Sequence, residues 1–183
     1  NDLIMDTSPA VQRTLLRFDD IFGYGENKIP YDSSISSATI SSYVYVTGNA
    51  PTLYEVLEEW SESEASYNGR LSGTSWSSTG VAGSPSRSTT SLGTINASTQ
   101  GMKSLSITDL VSRWNNGSSE NYGVVFNPGG SSGVQLRSSE YGVSTERPRL
   151  GATFSSSACS GLEVYYRTSQ DKISWSEWDT VLI

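Results

Sequence analysis

Five acidic residues lie close together in the sequence, and a pair of carboxyl groups is what glycoside hydrolysis requires. They are Glu55, Glu58, Glu59, Glu62 and Glu64. A glycosidase holds its two carboxyl groups about 5 to 9.5 Å apart across the scissile bond, a separation that sequence spacing does not establish. Because runs of charge usually face solvent, the pattern favours surface acids placed around a buried Leu57 and Trp60. We therefore expect no catalysis here.

The chain has no histidine and one cysteine, which removes several kinds of catalytic and metal centre. Without histidine there is no Ser-His-Asp triad and no imidazole base, and the lone Cys159 cannot form an internal disulfide. Asp19 and Asp20 are candidate oxygen ligands for a structural Ca²⁺, although no EF-hand spacing is present. We expect no required cofactor. The least favoured hypothesis is a polysaccharide lyase that uses Tyr67 and Arg70.

The charge balance argues against nucleic acid and membranes as partners. The chain has 12 Lys and Arg against 19 Asp and Glu, for a net charge of −7. Nucleic-acid binding needs clustered basic residues that displace counterions from phosphates. The apolar runs are far shorter than the ~20 residues that a membrane-crossing helix needs. We predict no nucleic-acid partner and no membrane insertion.

Aromatic and basic residues offer another chemistry, which is sugar binding. A flat ring can cover the apolar face of a pyranose while polar groups contact its hydroxyls. Trp60 and Trp114 fall on periodic apolar positions, which indicates core. The candidate rings are Trp76, Tyr67 and Tyr141. A guanidinium matches the carboxylate of an acidic sugar, and the candidate anchors are Arg70, Arg87, Arg137 and Lys103. The expected partner is a polysaccharide or a cell surface.

Short strands separated by turns dominate the pattern, with strands predicted over 11–18, 38–46, 53–57, 122–126, 133–137 and 148–154. One helix is predicted from an N-cap at Thr108 to a stop at Asn115–Gly117. The Ser- and Gly-rich stretch 72–90 has no periodicity, so we expect a long loop, exposed from Ser77 to Ser88. This pattern indicates an all-β, jelly-roll-like β-sandwich. Its predicted core contains Leu16, Phe18, Ile40, Val44, Val56, Trp114, Val125 and Leu150.

Several motifs, in order, resemble the DNRLRE domain. They are Arg13–Asp19, Trp60–Glu62, Leu105–Trp114, Asn121–Gly123, Ser139-Glu140 and Arg147–Leu150. That family is similar to the family 96 carbohydrate-binding modules and occurs in large secreted microbial proteins, beside polysaccharide-degrading domains, and in surface proteins. The resemblance covers about residues 1–154. It implies a jelly-roll β-sandwich that is extracellular or on the cell surface and does not catalyse a reaction.

The resemblance departs at both ends of the chain. The family has a strand upstream of the region matched by Asn1–Met5, so we expect the 1–154 sandwich to lack its opening strand. A Ser-rich linker at 155–161 leads to a β-hairpin extension at 162–183, which is either a donor strand or the start of a further domain. Donation to a neighbouring copy is head-to-tail and builds a homo-oligomer that does not close. The alternative function is therefore adhesion or assembly, as a structural subunit of an extracellular filament or a virion appendage.

Overall fold

The computed structural model describes residues 2–155 in full and the backbone of two further strands at 163–166 and 179–182. The strands are β1 Asp2–Met5, β2 Thr14–Leu16, β3 Ser34–Val46, β4 Thr52–Val56, β5 Gly69–Leu71, β6 Thr74–Ser75, β7 Arg87–Thr94, β8 Gly101–Ser106, β9 Val124–Asn127, β10 Val134–Arg137, β11 Arg149–Ser155, β12 Glu163–Tyr166 and β13 Asp179–Leu182. Helix α1 is Thr108–Asn115, and the 3-10 turns are Thr79–Val81 and Ser144–Glu146. The predicted all-β fold with one short helix is confirmed for the described residues.

Two antiparallel sheets form the sandwich. The first has the order β1-β10-β3-β11, with β8 also paired to β3. Ile40 pairs with Leu150 of β11 and with Leu105 of β8, so these two strands lie on opposite sides of β3. The second sheet has the order β2-β9-β4-β7. A long β3 of 13 residues is thus the strand to which most of the first sheet is attached.

The main core lies between the two sheets and is closed at one end by α1. Alternate residues of β3 point inward, as expected for a strand with one buried face. They meet Leu53 of β4 and Phe126 of β9, while Leu110 packs from α1. The predicted core residues Ile40, Val44, Val56, Trp114 and Val125 are buried. Leu16, Phe18 and Leu150 are half-buried and pack against the core.

Residues 57–86, which we call the cap, cover the outer face of the second sheet. Trp60, Trp76 and Val81 of the cap are buried and form a second hydrophobic cluster with Val56 of β4 and Val125 of β9. The prediction of an exposed loop over 77–88 is therefore wrong in part, because Gly80, Val81 and Ser86 are buried. Both faces of this sheet carry apolar side chains, and burying the outer face requires a covering segment.

The positions of Leu57 and Glu55 are the reverse of the prediction. Leu57 is 43% exposed, whereas Glu55 is 6% exposed. Glu55 has the parity of Leu53, so its side chain faces the interior of the sandwich, where it accepts a hydrogen bond from Arg113 of α1. Leu57 follows the last residue of β4 and leaves the alternation. The pair Glu55–Arg113 links the second sheet to the helix.

Helix α1 agrees with the prediction to within one residue at its start. Thr108 is its first residue, and the N-cap is Ile107. The hydroxyl oxygen of Thr108 instead accepts a hydrogen bond of 2.9 Å from the backbone N–H of Ala38 in β3. Gly117, with a φ of 72°, follows the end of the helix in the left-handed conformation that suits glycine.

The ends of the chain bear on the strand-donation hypothesis. Asp2–Met5 form the edge strand β1, which pairs antiparallel with β10. β12 and β13 pair antiparallel with each other, in agreement with the predicted β-hairpin extension. The rest of the predicted linker after Ser155, including Cys159, lies outside the described residues. Donation of a strand to an uncovered edge stays a prediction.

Trp76→Ala is expected to lower the free energy of unfolding by about 3 to 5 kcal/mol, because it leaves a cavity in the second hydrophobic cluster. Trp76 is 4% exposed, and its indole N–H donates to the carbonyl of Ser66 at 3.0 Å. Chemical denaturation measures the change. Tyr24→Ala is the control, since Tyr24 is 85% exposed, and we expect it to stay within about 0.5 kcal/mol of the parent. A loss below about 1 kcal/mol for Trp76→Ala would contradict a structural role for the cap.

Candidate functional site

A groove of about 520 Å³ runs between the edge strands β1 and β2 and the cap. We call it the cap groove. Three of its lining side chains are apolar and yet exposed, namely Ile4 and Val11 at 39% each and Tyr67 at 58%. Arg13, Gln12 and Glu62 add polar groups to the same walls. Apolar surface with a few polar groups, in a concave site, is the usual composition of a ligand-binding site.

Tyr67 is exposed but held in place. The backbone N–H of Gly80 donates a hydrogen bond of 2.7 Å to the carbonyl of Tyr67. The ring of Tyr67 lies against Gly80, where a Cβ would come 2.5 Å from its Cε2 atom. Gly80 also has a φ of +68°, a conformation that glycine adopts without strain. The ring is therefore fixed before any ligand arrives, which lowers the entropic cost of binding.

Arg13 places a positive charge in the wall of the cap groove. Its Nε donates to the side chain of Asn127 at 2.7 Å and its Nη1 to the carbonyl of Gly80 at 3.2 Å. Within residues 2–155 it forms no ion pair with a carboxylate. Burial lowers the pKa of Arg13, the charge of Arg87 lowers it further, and Tyr67 opposes them. The guanidinium stays protonated at neutral pH, so its charge is not neutralised.

Arg13 and Glu62 were not predicted from the sequence to line one groove. Arg13 precedes β2 and Glu62 lies in the cap, and the two come together only because the cap folds back along the edge strands. No local pattern carries this information. Of the predicted sugar-binding residues, Tyr67 is the one that lines the cap groove.

Arg137 and Tyr141, both predicted to bind a ligand, are engaged with each other. The Arg137 guanidinium lies 3.7 Å from the ring centroid of Tyr45 and 4.0 Å from that of Tyr141. It also forms ion pairs with Asp2 at 3.3 Å and with Glu146 at 3.5 Å. This cluster ties β1 to β10 and β3, and its carboxylates neutralise the charge that an acidic ligand would need.

Arg70 and Arg87 contact the cap and the sheet beneath it. Arg70 donates to the carbonyl of Glu59 at 2.8 Å and lies 3.8 Å from the carboxylate of Glu58. The Arg87 guanidinium lies 3.6 Å from the ring centroid of Tyr54. Arg87 forms no ion pair among the residues that the structure describes. It adds to the positive field at Arg13.

Trp76 and Lys103 do not line the cap groove. Trp76 was predicted to present its ring to a sugar, but it is only 4% exposed. Its ring is buried because it covers the outer face of the second sheet. Lys103 is on β8 of the first sheet, where it pairs with Ser42, and its Nζ donates to the hydroxyl of Thr99 at 2.7 Å. It does not line the cap groove.

Asp19 and Asp20, the predicted Ca²⁺ ligands, each form an ion pair with a basic side chain. Asp19 lies 2.6 Å from Arg17, and Asp20 lies 2.6 Å from Lys28. Both carboxylates are mostly exposed. The described residues contain no group of three or more His, Cys, Asp or Glu that could hold a metal ion. Calcium binding at Asp19 and Asp20 stays a prediction.

Glu58 is at the centre of a hydrogen-bond network within the cap. Its carboxylate accepts hydrogen bonds from the hydroxyl of Ser77 at 2.6 Å, from the N–H of Ser77 at 3.1 Å and from the hydroxyl of Ser86. Burial raises the pKa of Glu58, but these hydrogen bonds and the charge of Arg70 outweigh it, so the pKa lies below its ordinary value. The network joins both ends of the segment 77–86.

Comparison of the chain with known protein families, with characterised proteins and with solved structures finds no match. The likeness to the DNRLRE domain therefore stays a prediction. Within the described part of the chain, the helical segments are too short and too polar to span a bilayer.

Glu58→Gln is expected to lower the free energy of unfolding at pH 7 by about 1 to 2 kcal/mol, because it weakens charge-assisted hydrogen bonds. The folded pKa is depressed, so this stabilisation is complete above the unfolded pKa of about 4.3 and is lost as the pH falls through the folded pKa. The stabilities of the parent and the variant should converge in acid. Denaturation at a series of pH values measures this, with the exposed Glu64→Gln as control. A difference in stability between parent and variant that stays constant down to pH 2 would contradict the assignment, because pH 2 is well below the ordinary glutamate pKa of about 4.3.

Proposed function

We propose that the protein is a non-catalytic extracellular module that binds an acidic polysaccharide in the cap groove. The observation that carries the proposal is an unneutralised guanidinium, Arg13, in the same groove as an exposed and fixed ring, Tyr67. Stacking on Tyr67 would cover the apolar face of one sugar. Arg13 would bind the carboxylate of the same sugar or of the next one, since a guanidinium pairs with a carboxylate through its N–H donors.

An acidic sugar fits the charges around the cap groove better than a neutral one. Arg87 lies close enough to Arg13 to lower its pKa, so two positive charges act on one wall. Asp2, which also lines the groove, forms an ion pair with Arg137 at 3.3 Å. Glu62 is exposed and is a suitable acceptor for sugar hydroxyls. A local positive field on one wall is compatible with the net charge of −7 for the whole chain.

Binding without catalysis is supported by how the acidic residues are used. Glu55 is bonded to Arg113, and Glu58 accepts hydrogen bonds from Ser77 and Ser86, so both carboxylates stabilise the fold. The chain has no histidine to act as a base. An extracellular location follows from the same proposal, since polysaccharides of this class are found outside cells, and from the likeness to the DNRLRE domain.

Tyr67→Ala is expected to weaken binding to alginate or polygalacturonate about tenfold or more, the scale seen when an aromatic residue at the centre of an interface is truncated. Affinity electrophoresis and isothermal titration calorimetry on the full chain measure the change. Tyr24→Ala is the matched control, because Tyr24 is 85% exposed and does not line the cap groove. Unchanged retardation of Tyr67→Ala on these polymers, or no retardation of the parent on any of them, would refute the proposal.

Arg13→Gln is expected to remove the preference for acidic over neutral polysaccharides, because it deletes the charge and keeps a shorter, neutral side chain that still donates hydrogen bonds. Arg149→Gln is its control, since Arg149 is exposed and lies outside the cap groove. The affinity of the parent for alginate should also fall as salt rises, since exposed charges are screened. That dependence should be weaker in Arg13→Gln. An Arg13→Gln variant that keeps both the preference and the salt dependence would contradict the role given to Arg13.

A further inference from the structure

Val81, in the wall of the cap groove, has a backbone conformation that its residue type disfavours. It belongs to the turn 78–83, which we call the Val81 turn. Its φ is 56°, a left-handed conformation that strains a β-branched residue. Val81 is the one β-branched residue with a positive φ in the part of the chain that the structure describes. Strain of this kind persists only where the surrounding contacts fix the backbone, and it is concentrated at functional sites.

Two arginines hold the Val81 turn, one on each side of the strained residue. The Nη1 of Arg13 donates to the carbonyl of Gly80 at 3.2 Å. The Nη2 of Arg87 donates to the carbonyl of Ala82 at 2.9 Å. The carbonyls of both neighbours of Val81 are therefore bonded to a guanidinium.

Each of these arginines also contacts the second sheet. The Nε of Arg13 donates to the side chain of Asn127 in β9 at 2.7 Å. Arg87 is the first residue of β7, and its guanidinium lies 3.6 Å from the ring centroid of Tyr54 in β4. The Val81 turn is therefore fixed relative to the sheet as well as to the rest of the cap.

Gly80, in the Val81 turn, connects the two groups that the proposed function requires. Its N–H donates to the carbonyl of Tyr67 at 2.7 Å, and its carbonyl accepts from Arg13. The Nη2 of Arg13 forms no hydrogen bond with the described residues, so it keeps its N–H donors for a ligand carboxylate. The position of this one residue thus sets where the ring and the guanidinium lie relative to each other.

We propose that Arg87, which does not line the cap groove, is a positioning residue for it. By holding the carbonyl of Ala82, Arg87 keeps the Val81 turn in its strained form. That form fixes Tyr67 and Arg13 in one relative arrangement before a ligand binds, which lowers the entropic cost of binding. The inference rests on the proposed function for its ligand, whereas the order of the Val81 turn is a property of the free protein.

Hydrogen exchange on the ligand-free full chain tests the positioning directly. In Arg87→Gln the amide of Gly80 should exchange about tenfold faster or more, while the amides of β3 keep the rate of the parent, because local opening does not require global unfolding. Arg149→Gln is the matched control, since Arg149 is exposed and lies outside the cap groove, and it should leave Gly80 unchanged. Arg87→Met keeps the apolar part of the side chain without an N–H donor. It should behave as Arg87→Gln does, and it replaces that variant if the glutamine does not fold.

A double-mutant cycle tests whether Arg87 acts through Tyr67. Arg87→Gln should weaken binding to alginate about threefold to tenfold in the parent, but less than about twofold in Tyr67→Ala, since the effects of coupled residues do not add. Calorimetric titration measures both losses. The loss in the parent background should be the same at about 0.05 M and about 0.5 M salt, because a change of geometry, unlike the field of an exposed charge, is not screened.

The outcomes separate this proposal from the proposed function. Additive losses in the cycle, or a loss that disappears at high salt, would refute the positioning role of Arg87. An unchanged Gly80 exchange rate in the Arg87 variants, or an equal acceleration of Gly80 and β3, would refute it as well. A parent that binds no acidic polymer would refute the proposed function, and the exchange of Gly80 would then decide the positioning role alone.

Discussion

Burial of the outer face of the second sheet is the constraint on which the rest of this structure depends. Val56 and Val125 point away from the main core. Without the cap, these apolar side chains of two central strands would be exposed to water. The cap removes this surface with Trp60, Trp76 and Val81. The cap groove exists only because the cap, while covering the sheet, also comes to lie beside β1 and β2.

Polar contacts decide where the cap sits once the hydrophobic cluster has formed. The indole N–H of Trp60 donates to the carbonyl of Tyr122 at 2.8 Å, and Arg17 donates to the carbonyl of Trp60 at 2.9 Å. The guanidinium of Arg17 also lies 5.0 Å from the centroid of the Trp60 ring. Hydrophobic burial is not directional, so contacts of this kind are needed to hold one geometry. They connect the cap to the residues that follow β2 and to those that precede β9.

The sequence was sufficient for the elements whose patterns are local. β3, β4 and α1 were predicted because β-branched alternation or an apolar helical face recurs within a few residues. The cap was not, because Trp76 stands alone among Ser, Thr and Gly and a single aromatic residue has no period. β8 was missed as well, since Gly101–Ser106 has no β-branched residue.

The cap groove was harder to predict than the fold, for a related reason. This groove is assembled from segments that are far apart in the chain, since Ile4 of β1 and Tyr67 of the cap both line it. Tyr67 was predicted from its residue type, while Arg13 became a candidate only when its lack of a carboxylate partner could be seen. Conversely, Arg137 was predicted to bind a ligand because of its residue type. Its contacts with two aromatic rings and two carboxylates could not be inferred from the spacing of the sequence.

The pairing of β1 with β10 has a consequence for the order in which the molecule folds. Asp2 and Arg137 are 135 positions apart, and β3 pairs with β11 across a comparable separation. Proteins dominated by such distant pairings fold in about milliseconds to seconds, because each closure costs chain entropy before any contact forms. A ribosome adds about 5 to 20 residues per second, so β1 has no partner strand for several seconds of synthesis. Since β1 forms one wall of the cap groove, the groove cannot be complete before β10 is available to pair with β1.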